Sequence, residues 1–339
     1  MKQEKLEEKV KETFREQGFN VEKEGEKLKA SKDGETKTLE AFSSEKFSKQ
    51  EVLKKEHEGI VFVDEGLSDL KEEIEVSIIY GERDGEEYEL PSYEIIGDIA
   101  VISELTVEED EAVEGILDHH PHVETILLKK GGLKGEFRVG DYEKLHGDKT
   151  ETVHREFGIE LKVDPTKAYF SERFSTERDR VVSKIEQGEK VLVMFAGVGP
   201  FAVMAGKNSE PEKVVAVEKN PEACEYMKQN IEMNKLRGKI EAFCGDVKEI
   251  EYGQRFDRIV MPLPGSAEEF INLAMDLVED NGVVHYYRFL EEGNWEELDE
   301  EIKVAAEQKG LDYEILDGVV CGERGPSVDR VCMDIRISR

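Results

Sequence analysis

The chain has 339 residues, long enough for two or three domains, and 38% of them are hydrophobic, enough to build real cores. No apolar run reaches the roughly 18 residues of a membrane-spanning helix, so the composition excludes a bilayer-spanning protein. Lys and Arg number 47 against 79 Asp and Glu, a net charge of −32; such a field favours solubility and repels polyanions, so any nucleic acid must find a local exception to it.

The start, MKQEKLEEKVKETF, is charged and amphipathic, unlike a signal peptide, and predicts a helix over Lys5–Gln17. Short alternating segments follow in GEKLKASKDGETKTLEAF, the pattern of a hairpin or small sheet. Lys49–His57 reads as a second helix, and GERDGEEYELP, ending at Pro91, as a turn-rich link. Residues 1–90 are thus expected to form an N-terminal α+β domain. From Tyr93 the texture changes. YEIIGDIAVIS is a strand pair, Glu108–His119 a helix and HVETILLKK a strand, after which GEFRVGDYEKLHG and TETVHREFGIELKVD continue the β-rich pattern. Residues 92–165 are expected to form a small α+β domain.

Residues 166–339 alternate strand and helix. The strands are KVLVMF, KVVAVE, KIEAFCGDV, RIVMPL, GVVHYYRF, DYEILDGVV and VDRVCMDIRI, with helices at Pro221–Lys235, Ala267–Val278 and Trp295–Lys309 among those between. That alternation predicts a doubly wound, mostly parallel α/β sheet. The last two strands lack a helix-length gap and should pair as an antiparallel hairpin, an ending typical of the class I (Rossmann-like) methyltransferase sheet.

The sharpest motif is VLVMFAGVGPF at 191–201. A buried strand runs into a turn containing Gly197 and Gly199, and Pro200 then opens a helix, where its missing N–H costs nothing. Nineteen residues past Gly199, Glu218 closes the next strand, well placed to hold a ribose diol. Asp246, in CGDV, ends the third strand, from which it can accept a hydrogen bond from an adenine amino group. The loop is neither G-x-G-x-x-G nor followed by GK[ST], so a phosphate-free adenosyl group, as in S-adenosylmethionine, fits best. Phe195, Ala196, Gly197, Val198, Gly199, Pro200, Phe201, Glu218, Lys219, Asn220, Asp246, Val247 and Pro264 are the candidate cofactor-binding residues.

Four cysteines, Cys224, Cys244, Cys321 and Cys332, lie far apart with no C-x-x-C pair, which reads as a reducing, cytoplasmic setting and no zinc site. His119, His120 and His122 look metal-like but lack an acid or Cys partner at ligand spacing, so an exposed turn is expected and no metal. The acids spread over every segment, which favours adaptation to concentrated salt over one cationic partner. Tyr286–Tyr287 reads as core.

Upstream of the loop lies DPTKAYFSERFSTERDRV, residues 164–181. Together with the loop it resembles the archaeal and eukaryotic-type tRNA guanosine N1-methyltransferases, which modify the guanosine just 3′ of the anticodon. Their segment reads close to D-x-x-K-x-Y-F-S-P-R-L-x-x-E-R, followed by D-M-F-A-G-V-G-P-F. Here Asp164, Lys167, Tyr169, Phe170, Ser171, Arg173, Glu177 and Arg178 match, then Met194 through Phe201. The resemblance covers roughly residues 92–339 and takes in SYEIIGDIAVI, GEFRVGD, TETVHRE, MPLPGSAEEF and VVHYYRF; the first 90 residues match poorly. It implies S-adenosylmethionine as cofactor and tRNA as partner; a monomer is expected, though the sequence does not determine the oligomeric state. It further implies Glu177 as the general base that removes the guanine N1 proton, Arg138 as the donor that stabilises charge developing on O6, and Tyr169, Arg173 and position 262 as base contacts.

Two positions depart from the family. Pro262 stands where an Asn of N-L-P contacts the base, and Val193 where an Asp precedes M-F-A-G. The first keeps two alternatives open: a wybutosine-pathway aminocarboxypropyl transferase on the same fold, and a catalytically silent tRNA-binding homologue. Binding tRNA against the overall charge would need a basic island, for which Lys129, Lys130, Lys134, Arg138, Arg173, Arg178 and Arg180 are the candidates.

Overall fold

The computed structural model describes the backbone of four strands in the first 87 residues, then residues 90–131, 135, 137, 139–291, 293–325 and 327–339. It divides into two compact units, Met1–Glu87 and Tyr88–Arg339. The helices expected at Lys5–Gln17 and Lys49–His57 lie outside the described residues. In the first unit β1 (Asn20–Glu24), β2 (Lys27–Lys32), β3 (Glu35–Ser43) and β4 (Ile60–Asp64) form an antiparallel sheet in chain order. The expected hairpin is β2–β3, in which Leu28 pairs with Leu39.

The second unit begins with β5 (Tyr93–Ile96) and β6 (Ile99–Ile102), joined tightly at Gly97. Gly97 has φ +60°, and a Cβ there would fall 2.1 Å from Thr152 Oγ1, so this corner needs glycine. Helix α1 (Glu109–His119) crosses over to β7 (Thr125–Lys129), parallel to β6, and β8 (Tyr142–His146) closes the sheet. Ala112 and Ile116 bury against Ala100, Ile102 and Ile126. A hairpin of β9 (Thr152–Glu156) and β10 (Ile159–Val163) follows.

The large sheet holds β11 (Lys190–Val193), β12 (Lys213–Glu218), β13 (Ile240–Cys244), β14 (Phe256–Met261), β15 (Val278–Glu291), β16 (Asp312–Gly325) and β17 (Val328–Ser338), in the order β13-β12-β11-β14-β15-β17-β16. The first five strands are parallel, and β17 runs antiparallel to both β15 and β16, which is the doubly wound class I arrangement with its terminal hairpin. Helices α2 (Ser175–Val182), α3 (Pro200–Asn208) and α4 (Pro221–Met233) share a core with Val191, Val193, Ala216 and Tyr287 on one face. Helices α5 (Ile271–Leu277) and α6 (Trp295–Lys309) cover Leu192, Met194, Ile259 and Tyr286 on the other. This strict alternation explains why the strands read as unbroken apolar runs: both faces are buried. The first face's core also takes in Ile99, Leu127 and Leu161, so apolar packing is continuous across residues 165–166. Asn230 of α4 and Asn234 just past its end tie β10 down through Lys162 and Glu160.

One expectation is corrected. Cys224 and Cys244, read as standing apart in a reducing setting, form a disulfide, whereas Cys321 and Cys332 are free. The first turn of α4 and the end of β13 meet because β12 and β13 are neighbours, a proximity that a separation of 20 residues does not reveal. No helix among the described residues is long and apolar enough to cross a membrane.

Candidate functional site

The carboxyl ends of β11, β12 and β13 converge on the loop 194–200. Phe195, Gly197 and Gly199 all have positive φ, at 53°, 58° and 88°. At Gly199 a Cβ would meet Met227 Cγ at 2.8 Å, so this glycine lets α3 pack closely on α4. At Gly197 a Cβ would approach only the Tyr169 carbonyl oxygen, at 3.8 Å, so the space above it is open to a ligand. Pro200 occupies the first turn of α3.

Glu218 clasps this loop. One carboxylate oxygen accepts from Gly197 N–H and the other from Asn220 N–H, both at 2.7 Å. Burial pushes its carboxyl up, against the backbone donors of Asn220, Gly197 and Lys219 that lower it. Three backbone donors leave the carboxylate one of its four lone pairs for a ribose hydroxyl. Asn220 caps α4 by accepting from Glu222 N–H at 3.0 Å, and its amide donates to Lys167 O. Asp246 lies across the gap: its carboxyl is held low by Lys248 N–H and by Lys219, whose Nζ sits 2.9 Å away. Val247 beside it is buried. The predicted cofactor residues Phe195 through Phe201, Glu218, Lys219, Asn220, Asp246 and Val247 therefore line adjacent strand ends, and an open cradle with two acids at this spacing fits an adenosyl group. Pro264, also predicted, is buried past the end of β14, behind a turn closed by Leu263 N–H on Met261 O. A cavity of about 470 Å³ lies instead at the amino ends of these strands, lined by Glu189, Asp257, Arg258 and Asn281 among others. We place the ligand at the carboxyl ends, where an open α/β sheet presents its loops.

The segment 164–181 runs alongside this loop. Asp164 is buried and accepts from Thr150 and Thr166. Tyr169 is 42% exposed, and Arg173 is exposed with Nη2 at 3.5 Å from Tyr93 O. Glu177 differs: it is 5% exposed. Arg180 Nε donates to its Oε2 at 2.6 Å, Arg180 Nη2 to its Oε1 at 2.8 Å, and Tyr287 O–H to the same Oε1 at 2.6 Å. Arg180 Nη1 also donates to Asp334 at 2.7 Å, and Asp334 is reached by Lys184 and His285. Burial would raise the Asp334 carboxyl, but its bonds to His285, Arg180 and Lys184 hold it well below the carboxylate range. Tyr287 in turn packs its ring on Phe201, at 6.2 Å between centroids, so Glu177 is one residue removed from the helix that follows the cofactor loop.

One sequence reading fails here. Arg178 and Arg180 were candidates for an RNA-facing island, but Arg178 is buried in an ion pair with Glu156 and over the Phe170 ring, and Arg180 is spent on Glu177 and Asp334. Helix α2 presses both against the unit's interior. Tyr287 is buried in the core as expected, and its hydroxyl also donates to Glu177. Asp334 was not singled out, although an acid inside the apolar strand VCMDIRI is a visible signal of a buried charge needing partners. Arg138 and Lys134 lie outside the described residues. Pro262 is partly buried at the end of β14, and Val193 is buried in the core.

His285, Cys332 and Asp334 have ligand atoms within 4.8 Å of one another. Arg258 Nη1 lies 2.9 Å from His285 Nε2 and His285 Nδ1 2.6 Å from Asp334. An arginine can only donate, so Nε2 accepts and Nδ1–H donates to Asp334, which assigns a neutral ring. With Arg180, Lys184 and Arg258 all directed at it, the trio is a satisfied polar knot rather than a cation site.

Comparison with known proteins gives this geometry its context. Residues 152–316 match the TRM5/TYW2 methyltransferase domain and residues 78–150 the TYW2 N-terminal domain. The chain is 39% identical to the tRNA (guanine(37)-N(1))-methyltransferase Trm5b of Pyrococcus abyssi over 73% of its own length and 75% of the relative's. It is 32% identical to the tRNA(Phe) (4-demethylwyosine(37)-C(7)) aminocarboxypropyltransferase of Methanocaldococcus jannaschii, over 73% of its own length and 98% of the relative's. Among solved structures, a complex of aTrm5 with tRNALeu superposes with a TM-score of 0.66 at 30% identity, covering 99% of this chain and 98% of that one. M. jannaschii TYW2 in complex with AdoMet gives 0.58 at 28% identity, covering 73% and 100%. The glycine loop and its Glu218 clasp are thus part of a likeness that runs through most of the second unit, and the chain belongs to the TRM5/TYW2 methyltransferase family.

Proposed function

We propose that this chain transfers a methyl group from S-adenosylmethionine to N1 of the guanosine 3′-adjacent to the tRNA anticodon, acting as a cytoplasmic monomer. The observation that carries this reading is Glu177: a buried carboxylate in the F-S-x-R…E-R segment, linked through Tyr287 to Phe201 of the cofactor loop. The cofactor supplies an electrophilic sulfonium methyl group. Gly197 leaves room for it, Glu218 accepts a ribose hydroxyl and Asp246 the adenine amino group. Guanine N1 carries a proton and is a poor nucleophile until the proton leaves. Glu177 would take that proton, the electron pair of the N–H bond would remain on N1 to form the new N–C bond, and the pair of the broken S–CH3 bond would stay on sulfur, leaving a neutral thioether. Negative charge moves toward O6, where Arg138, carried by the region 92–165, donates. Tyr169 and Arg173, both exposed, and the partly buried Pro262 contact the nucleotide.

The test is incubation with unmodified tRNA bearing guanosine after the anticodon and labelled cofactor at high potassium salt, followed by nucleoside analysis. The expected product is 1-methylguanosine. Glu177→Gln is expected to lower its rate by about a hundredfold or more; full activity in that variant would contradict the assigned base.

A second reading has specific support. Pro262 offers no side-chain amide to the base, and residues 78–150 match the TYW2 N-terminal domain. On that reading the transferred group is aminocarboxypropyl and the acceptor a tricyclic tRNA nucleoside. Mass spectrometry of the product separates the two, because the added groups differ in mass.

A further inference from the structure

A carboxylate that abstracts a proton must be aimed, and a glutamate side chain left to itself is not. Glu177 is aimed from outside its own helix turn as well as within it. Arg180, one turn on, grips both of its oxygens, and Tyr287, 110 residues away on β15, grips Oε1 a second time. The grip is itself anchored. Arg180 reaches past Glu177 to Asp334 on β17 at 2.7 and 3.2 Å, and Asp334 is fixed by His285 and by Lys184 at 2.7 Å. Asp334 is 1% exposed and Tyr287 2%, so the two groups on the sheet that hold Arg180 and Glu177 are buried. Its contacts are also unequal. Oε1 accepts twice, from Arg180 and Tyr287, whereas Oε2 accepts from Arg180 Nε at 2.6 Å. An ionised carboxylate oxygen has two lone pairs, so Oε2 retains one.

We infer that Arg180 and Tyr287 are the positioning residues of the reaction: they fix the Glu177 carboxylate on the sheet so that Oε2 receives the guanine N1 proton. This inference rests on the assignment of Glu177 as base. Neither residue touches the substrate; both act through Glu177. Arg180 is therefore not a surface charge for RNA, and Tyr287 is not only a core ring. A base displaced by about an ångström loses up to a hundredfold in rate while ground-state binding persists.

The experiment measures single-turnover methyl transfer to tRNA, with separate equilibrium binding of tRNA and of S-adenosylmethionine, for Arg180→Gln, Arg180→Lys, Tyr287→Phe and Glu177→Gln. It adds the double variant Glu177→Gln/Arg180→Gln, and thermal unfolding checks each fold. Arg180→Gln is expected to slow the chemical step by about ten- to a hundredfold with both binding constants within about twofold. Arg180→Lys should recover part of the rate, and Tyr287→Phe should give a smaller loss. In the Glu177→Gln background, Arg180→Gln should cost nothing more, because residues that act as a unit are not additive. An unchanged chemical step in Arg180→Gln and Tyr287→Phe, with Glu177→Gln inactive, overturns the positioning role and leaves the base assignment standing. Equal losses from Arg180→Gln with and without Glu177 also overturn it. Full activity in Glu177→Gln overturns the base assignment and this inference with it. Should Arg180→Gln not fold, Tyr287→Phe alone decides: a wild-type chemical step in that variant overturns the role.

Discussion

Glu218 shapes the glycine loop and is the residue proposed to hold the cofactor ribose. It spans the gap between Gly197 and Asn220, so it shapes the loop before any cofactor arrives. Burial raises its carboxyl, and the backbone donors only partly offset this. An acid with a raised folded-state value favours the native state when protonated, and that contribution is lost as pH rises through the folded value. The charged form is thus the strained one, and it is also the better acceptor for ribose hydroxyls. Affinity for S-adenosylmethionine is therefore expected to fall on acidification at a pH above the ordinary glutamate value of about 4.3. Calorimetric titration across that window measures it. Glu218→Gln should bind about tenfold more weakly and lose the pH dependence, on the order of one hydrogen bond to a charged group. A flat profile for the native protein would refute this. The spacing from Gly199 to Glu218 was legible in the sequence because a strand, a turn and a helix of ordinary length fix it locally. Its double backbone clasp was not, because the loop must fold back before Gly197 N–H points at the acid.

At the scale of elements, the corner between β12, α4 and β13 is cross-linked. Cys224 in the first turn of α4 bonds to Cys244 at the end of β13, directly beside Glu218 in the strand register. Closing a loop of about 20 residues is worth on the order of 3 kcal/mol, mainly by restricting the unfolded chain. The double variant Cys224→Ser/Cys244→Ser, and the native protein in strong reductant, should both unfold at lower temperature, by several degrees. Alkylation without reductant under denaturing conditions should label Cys321 and Cys332 alone. Four labelled thiols would refute the pairing. Element boundaries were read closely where periodicity was strong: Trp295–Lys309 matches α6, and Pro221–Lys235 contains α4. Ala267–Val278 read as one helix but splits into a short 3-10 turn and α5, with Phe270 at the break packed on Phe195 across the sheet end. That ring contact is a tertiary demand no helical period announces.

Over the whole molecule, charge is managed in two ways. The excess of acids is spread along the chain, whereas the interior collects Glu177, Arg180, Asp334, His285, Arg258 and Glu189 into a connected run. His285 is neutral within it: burial lowers its value, and the bond to Asp334 only partly restores it. A base depressed in the native state makes the unfolded chain bind the extra proton, so stability is lost as pH falls below the free histidine value of about 6.5. Asp334 has the same sign in a lower window, stabilising above the ordinary aspartate value and failing only in stronger acid. Between about pH 7 and 5 the histidine therefore dominates this run. The stability gap between native protein and His285→Gln should shrink as pH falls through that interval, measured by urea unfolding. A gap constant with pH would refute the neutral assignment.

The sequence by itself determined the alternating α/β order, the glycine loop, the acids at successive strand ends and the family, because each is written in local spacing of a few to about twenty residues. The tertiary structure alone decided what surrounds Glu177 and which cysteines pair. Arg180 meets Asp334 across 154 positions and Tyr287 meets Glu177 across 110. Such partners are chosen by strand order in the sheet, and β17 reaches β15 only after β16 has passed outside it. Arg178 and Arg180 of the charged segment before β11 read as candidates for an RNA-facing island for the same reason. Only the packed sheet beneath α2 shows that two of its arginines face inward, and that the carboxylate proposed to accept the guanine proton is held there from both sides.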